Sequence, residues 1–399
     1  MKSYTLPLAV VPALLAAVLA PSARGQITVG LPGSAAEESA LSVAGDLVDN
    51  VLVPRPAGQS LGEVSVPPVN LGTFDIVIVP GATLAGNAAA LAAFNRAALA
   101  WEARISDPIV ITINADLASL GAGIIGSTSS VVLQAGYTAI RDSMVADSVG
   151  EADDTIVASL PTAGQFLATV PSVPASSLSG NLLGTKANLK ALGFAGLDVS
   201  FGVSDASITF STNFSFDFDN SNGVGAGLMD FETVAAHEIG HALGFFSIVD
   251  SVNAGQTSIS PNTLDLFRFA NGTANDPTTA ANFTTFARNL VPGTNAINDE
   301  INGAIPELGM STGLTSSFAG TDGRQASHWK ADELTGNFIG IMDPTLAFGQ
   351  FYGPQDTDFR ALDLIGYEVV QVPIPEPSAL SALLLGGALL AGRSRRARR

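Results

Sequence analysis

The sequence predicts an α+β domain, with a twisted sheet and a site-bearing helix in its upper half and an irregular lower half. Three observations predict it. Between residues 74 and 243 the chain alternates strand-like and helix-like stretches, in the order strand, helix, three strands, helix. Past Gly244 it becomes rich in Pro, Gly, Asn and Thr to about residue 350. It then closes on "DTDFRALDLIGYEV", whose Phe359, Leu362, Leu364 and Ile365 return to the core at helical spacing.

Residues 26–73 carry many Pro, Gly, Val and small residues without a strong period, and read as an irregular N-terminal segment and candidate pro-segment. The domain proper is expected over 74–370, its upper half ending at about 244 and its lower half covering 245–370. "FDIVIVP", Phe74 to Pro80, is a β-branched run closed by proline, and predicts a strand. "GNAAALAAFNRAALAWEARI" sets Leu91, Phe94, Ala98 and Trp101 at helical spacing among strong helix formers. "PIVITINADL", Pro108 to Leu117, alternates β-branched with polar residues and predicts the next strand. "LDVSFGV" and "SITFSTNFSFDF" predict two more, meeting at a turn. A helix over Phe231 to Leu243 follows, with Asp230 as N-cap and Gly244 as its stop.

The two ends stand apart from this domain. Residues 1–25 run from Lys2 through an apolar stretch, Leu6 to Ala20, to "PSARG", the layout of a secretory signal. Residues 371–399 place Pro375, Glu376 and Pro377 before an apolar run, Ala379 to Gly392, and five terminal arginines. That tail resembles the PEP-CTERM sorting signal of Gram-negative surface proteins. The resemblance implies export, transient inner-membrane anchoring by a short transmembrane segment, and processing by an exosortase-type enzyme. The alternative is a permanent tail anchor.

Without the ends the body keeps 11 basic against 35 acidic residues, a net charge of −24. Such a body repels phosphate backbones, which excludes nucleic acid as a partner class. There is no cysteine. Disulfides, thiolate metal ligands and cysteine nucleophiles are therefore excluded, and any zinc must be held by His, Asp or Glu.

The chemistry concentrates in "VAAHEIGHALGFFSIVD". Residues four apart share a helix face, so His237 and His241 can hold one metal ion together. Glu238 is placed to act as general base toward a zinc-activated water. A third ligand is needed, and Ser247, three residues past Gly244, is a poor one. The chain has only three histidines, and the last is His328 in "GRQASHWKADE". That scarcity selects His328, with Asp250 or Glu333 as the alternatives. Asp250 has two further readings, as a group orienting a histidine or as an ordinary loop residue. Met342, fourteen residues past His328, stands in a turn before Pro344. "DFDNSNG", Asp217 to Gly223, crowds oxygen ligands as calcium loops do. Its glycine comes one place late for an EF-hand and no glutamate closes it, so a polar turn is the favoured reading and Ca²⁺ a secondary one.

The order H-E-x-x-H-x-x-G-F, long insert, "SHW" and Met-x-Pro turn resembles the leishmanolysin branch of the metzincin zinc proteases, over about Phe231 to Pro344. The resemblance implies a zincin fold and endopeptidase activity on protein or peptide substrates. It further implies His237, His241 and His328 as zinc ligands, Glu238 as general base and Met342 as the Met-turn. Eukaryotic leishmanolysin-like proteins are cysteine-rich, however, and this chain cannot use a cysteine to enforce latency. The expectation is a secreted zinc endopeptidase. The alternative is a non-catalytic cell-surface or matrix protein that keeps the fold with structural zinc.

Overall fold

The computed structural model describes residues 42–43, 50–54, 74–301, 308–315 and 317–370. The signal-like residues 1–25 and the sorting tail, 371–399, lie outside the described residues. Among those described, no helix is long and apolar enough to cross a membrane.

Nine elements position the site. In chain order they are β1 (Asn50–Pro54), β2 (Asp75–Pro80), α1 (Ala88–Glu102), β3 (Val110–Ala118), β4 (Gly126–Ser130), β5 (Ala206–Ser211), α2 (Phe231–Leu243), β6 (Thr345–Leu346) and α3 (Asp356–Asp363). Six of them make one sheet in the order β6-β1-β4-β5-β3-β2. β2, β3 and β5 run parallel, with Ile76 opposite Ile111 and Ile113 opposite Ala206. β4 runs antiparallel to β5, with Thr128 opposite Ile208.

The alternation of β3 explains the packing. Ile111, Ile113 and Ala115 are buried on one face, while Thr112 and Asn114 point to the other. With Ile208 and Phe210 they form an apolar floor for α1 and α2. Asn87 caps α1 by accepting from the Ala90 amide (3.1 Å). Alanines along α1 let it approach α2 closely, and the Trp101 indole donates to the Ala236 carbonyl (3.0 Å). Phe94 meets Phe210 edge-on with centroids 5.1 Å apart. Each large apolar side chain buried here contributes about 1.5–3 kcal/mol.

α2 has the bounds its capping residues predict. The Asp230 carboxylate accepts from the Thr233 amide (2.8 Å), and Gly244 leaves the helix at φ 130°. A side chain at Gly244 would be strained, and its Cβ would lie 3.0 Å from Ile365. Every residue of α2 except Glu232 is buried, because the sheet, α1 and the lower half enclose it on all sides. α3 returns Phe359 and Leu362 to the same core, and Leu364 and Ile365 follow just past its end.

Three expectations are corrected. Residues 26–73 are not irregular throughout. Ser42–Val43 pair with Gln134 and Leu133, and β1 is an internal strand of the main sheet. The folded body therefore reaches upstream of Phe74. Second, "LDVSFGV" is not a strand: Leu197–Phe201 is a short helix. Gly196 and Gly202, both at positive φ, turn the chain at its two ends, and Asp198 in its first turn pairs with Lys186 and Lys190. Third, the lower half is not merely irregular. Arg268–Ala270, Ala296–Asn298 and Leu308–Met310 form an antiparallel three-stranded sheet. Residues on both sides of Gly244 share one apolar core running from Leu52 to Tyr367.

Candidate metal centre

Helical spacing puts His237 and His241 on one face of α2, and the lower half brings His328 to them across 87 residues of chain. The three Nε2 atoms form a near-equilateral triangle with sides of 3.1, 3.1 and 3.2 Å. Every Nδ1 faces a backbone carbonyl: His237 that of Ile341 (2.7 Å), His241 that of Phe245 (2.7 Å), and His328 that of Gln325 (3.1 Å). A carbonyl only accepts, so each Nδ1 must carry the proton, and each neutral ring turns its Nε2 lone pair toward the other two. Three converging lone pairs cannot hydrogen-bond one another. They repel unless a cation lies among them, and that is what fits the residues to a metal ion. Burial pushes the His237 pKa down to about 4 and holds His241 and His328 well below the ordinary histidine range. All three rings are then neutral and ready to ligate at neutral pH.

The donor set is all imidazole nitrogen, which suits zinc and also copper, iron and nickel. Tetrahedral zinc with Zn–N of ~2.0–2.1 Å separates its nitrogens by about 3.3 Å, close to the triangle seen. The group His237, His241 and His328 can hold a metal ion.

Glu238 lies one residue along the helix and is buried. Its Oε2 accepts from the Thr128 hydroxyl of β4 (2.6 Å), while Oε1 is buried without a hydrogen-bond partner among the described residues. Gly126 of β4 makes room for it, since a Cβ there would sit 2.4 Å from Oε1. Burial raises the Glu238 pKa to about 8. A cation at the neighbouring triad favours the ionised form and draws that value back down.

The turn under the site does two jobs. Met342 is buried below α2, where a Cβ on Gly240 would lie only 2.3 Å from its sulfur. The preceding residue, Ile341, supplies the carbonyl that orients His237. His328 is held from the other side. Asp250 accepts from the backbone amides of Ala326 (2.6 Å) and Ser327 (2.9 Å), the two residues before the histidine. Asp250 is thus a clamp on that segment and lies outside the triad. Glu333 is also elsewhere, paired with Arg324 and accepting from Thr345 (2.8 Å). Ser247 donates to Asp265 (2.6 Å), and its amide donates to Ser327 (2.9 Å), so it ties the loop after α2 to the segment carrying His328.

The Asp217–Gly223 stretch behaves as a polar turn. Asp217 accepts from the amides of Asp219 and Gly225, and Asp219 from that of Ser221. The two carboxylates cap their own loop, and none of these residues belongs to a metal-holding group among the described residues.

Sequence reasoning missed four residues that shape the site: Gly126, Thr128, Asp265 and Asp358. Asp358 is fully buried. It accepts from the Trp329 indole (2.8 Å) and from the amides of Ile341 (2.7 Å), Met342 (3.3 Å) and Gln355 (2.8 Å). It thereby joins the neighbour of His328 to the carbonyl that orients His237. Its signal was an acid at the third position of a helix after Gln355, the pattern of a capping box. Comparisons with family models, curated proteins and solved structures give no match.

Proposed function

We propose that this chain is a zinc-dependent endopeptidase of the leishmanolysin-like type. The observation that carries the reading is the pairing of a three-nitrogen triad with an adjacent carboxylate, one oxygen of which has no hydrogen-bond partner among the described residues. When bound, zinc supplies a positive charge that brings the pKa of water near neutrality and polarises a peptide carbonyl.

The chain's own residues do the rest. Thr128 fixes Oε2 of Glu238, so Oε1 is the atom left to take a proton from the attacking water. The same carboxyl group then returns that proton to the leaving amine. The Nδ1–carbonyl contacts hold the rings in one tautomer, and the Met342 turn keeps His237 from swinging away. The layout of residues 1–25 and 371–399 supports export and surface sorting of the enzyme, with an exosortase-type partner.

One observation favours the second reading, a non-catalytic surface protein with structural zinc. His237, Glu238, His241 and His328 are each no more than 1% exposed. A structural site does not need the unpartnered oxygen of Glu238, however, and that keeps hydrolysis the better account. Glu238→Gln decides between them. Zinc content should stay at the wild-type level while casein cleavage drops by a factor of ~10² or more. Full casein cleavage in that variant would reject the mechanism.

A further inference from the structure

β4 supplies both residues that seat Glu238, and its edge away from β5 is the natural place for an extended polypeptide to add as a strand. That edge is already taken. β1 pairs with it antiparallel, with Leu52 opposite Gly126, Val51 opposite Ser127 and Asn50 opposite Thr128. On its other side β1 runs parallel to β6, with Val53 opposite Thr345 and Pro54 opposite Leu346. β6 begins three residues after Met342, in the lower half of the molecule. β1 is therefore a strand laid between one wall from each half, and it also packs on α2. Leu52 is 1% exposed there. The metal-site residues beneath are closed to solvent, so no polypeptide reaches them in this arrangement.

We infer that the slot between β4 and β6 is the groove for an extended substrate strand, and that Asn50–Pro54 is its built-in occupant. The metal centre then becomes accessible to a polypeptide only when this segment leaves. The inference rests on the peptidase reading and adds its latency mechanism. With no cysteine in the chain, blocking by backbone pairing replaces blocking by a thiolate. A tethered strand competes at an effective concentration in the millimolar range, so free polypeptide displaces it poorly. Cleavage among the 19 residues between Pro54 and Phe74 would turn that tethered competitor into a dilute one.

The chain's lack of cysteine makes a reversible lock available. In the zinc-loaded full chain, Val51→Cys with Ser127→Cys joins register partners of β1 and β4. Ser127 is on the face of β4 opposite Thr128, so the lock avoids Glu238. A second variant, Leu52→Asp, puts a carboxylate at a buried position and releases the strand. The probe for it is a labelled peptide copying residues 47–56.

The reduced double variant should cleave casein at least ten-fold faster than its oxidised form at equal zinc content. Leu52→Asp should bind the peptide at least ten-fold more tightly than the wild type does. Equal casein cleavage by the oxidised and reduced forms overturns the inference and leaves the peptidase reading standing. Peptide binding by Leu52→Asp with no cleavage by any form supports the groove and overturns the peptidase reading. Neither binding nor cleavage overturns both. If Leu52→Asp does not fold, the locked and unlocked rates decide alone.

Discussion

Removing the Asp358 carboxylate should loosen the metal centre without touching a ligand. Two of its four contacts, the Ile341 and Met342 amides, lie in the turn whose Ile341 carbonyl orients His237. The other two are the Trp329 indole and the Gln355 amide, and three of the four are 2.7–2.8 Å long. A hydrogen bond to a charged group contributes ~1.5–3 kcal/mol, so the gross loss in Asp358→Ala is about 5–9 kcal/mol. Burial opposes this, since it raises the Asp358 pKa from 3.8 to about 6. That rise is what remains after the hydrogen bonds have drawn the value down. At about 1.4 kcal/mol per unit, the folded chain therefore favours the protonated over the ionised form by about 3 kcal/mol more than the unfolded chain does. Desolvation offsets part of the gross loss, but the variant leaves several buried donors without an acceptor at ~1–3 kcal/mol each. A net destabilisation of at least about 2 kcal/mol is expected near pH 7.

The sign of the pH dependence follows from the raised value. The protonated form is the favoured one when folded, so its extra stability is fully present below the unfolded pKa of 3.8. It is lost as pH rises through about 6. The gap between wild type and variant should thus widen by up to about 3 kcal/mol from pH 7 toward pH 4. Urea unfolding of the metal-free chains at both pH values measures it. Zinc affinity, from competition with a chelator, should fall ~10-fold in the variant, at the low end for groups that support ligands. A loss under about 1 kcal/mol with unchanged zinc affinity would refute the reasoning that Asp358 braces the site.

Three more outcomes are expected. Gly126→Ala would place a Cβ 2.4 Å from the free Glu238 oxygen, so casein cleavage should drop ~10-fold or more while zinc stays bound. Asp250→Asn replaces one oxygen facing the Ala326 and Ser327 amides with a donor. Zinc affinity measured by chelator competition should weaken ~10-fold, whereas a ligand role would abolish stoichiometric binding. Gly240→Ala would set a Cβ 2.3 Å from the Met342 sulfur. Overpacking of ~1–3 kcal/mol should outweigh the helix-propensity gain of ~1 kcal/mol and lower the urea midpoint.

What could be read in advance was local or arithmetical. Asp230 and Gly244 delimit α2 because capping depends on residues within one turn. His328 could be singled out because a half-site with two histidines leaves one other in the chain. The supporting groups were not legible in this way. Thr128 and Gly126 matter only because β4 crosses above α2, more than 100 residues away in sequence. Asp358 looks like an ordinary helix-start acid until the Met342 turn packs against it. Residues 50–54 lack partners of their own and become a strand only between β4 and β6. "LDVSF" failed for the opposite reason, since its one β-branched residue, Val199, and its Phe201 were outweighed by two flanking glycines at positive φ and by the pairing of Asp198 with Lys186 and Lys190.

In the proposed enzyme three neutral imidazoles, two from α2 and one from His328, hold one zinc ion through Nε2. X-ray absorption at the zinc edge, with a zinc titration of the full chain and of His328→Ala, tests it most directly. The account predicts one ion per wild-type chain with three nitrogen ligands at ~2.0–2.1 Å, and affinity at least 100-fold weaker in His328→Ala. Unchanged affinity and an unchanged ligand shell in His328→Ala would contradict it.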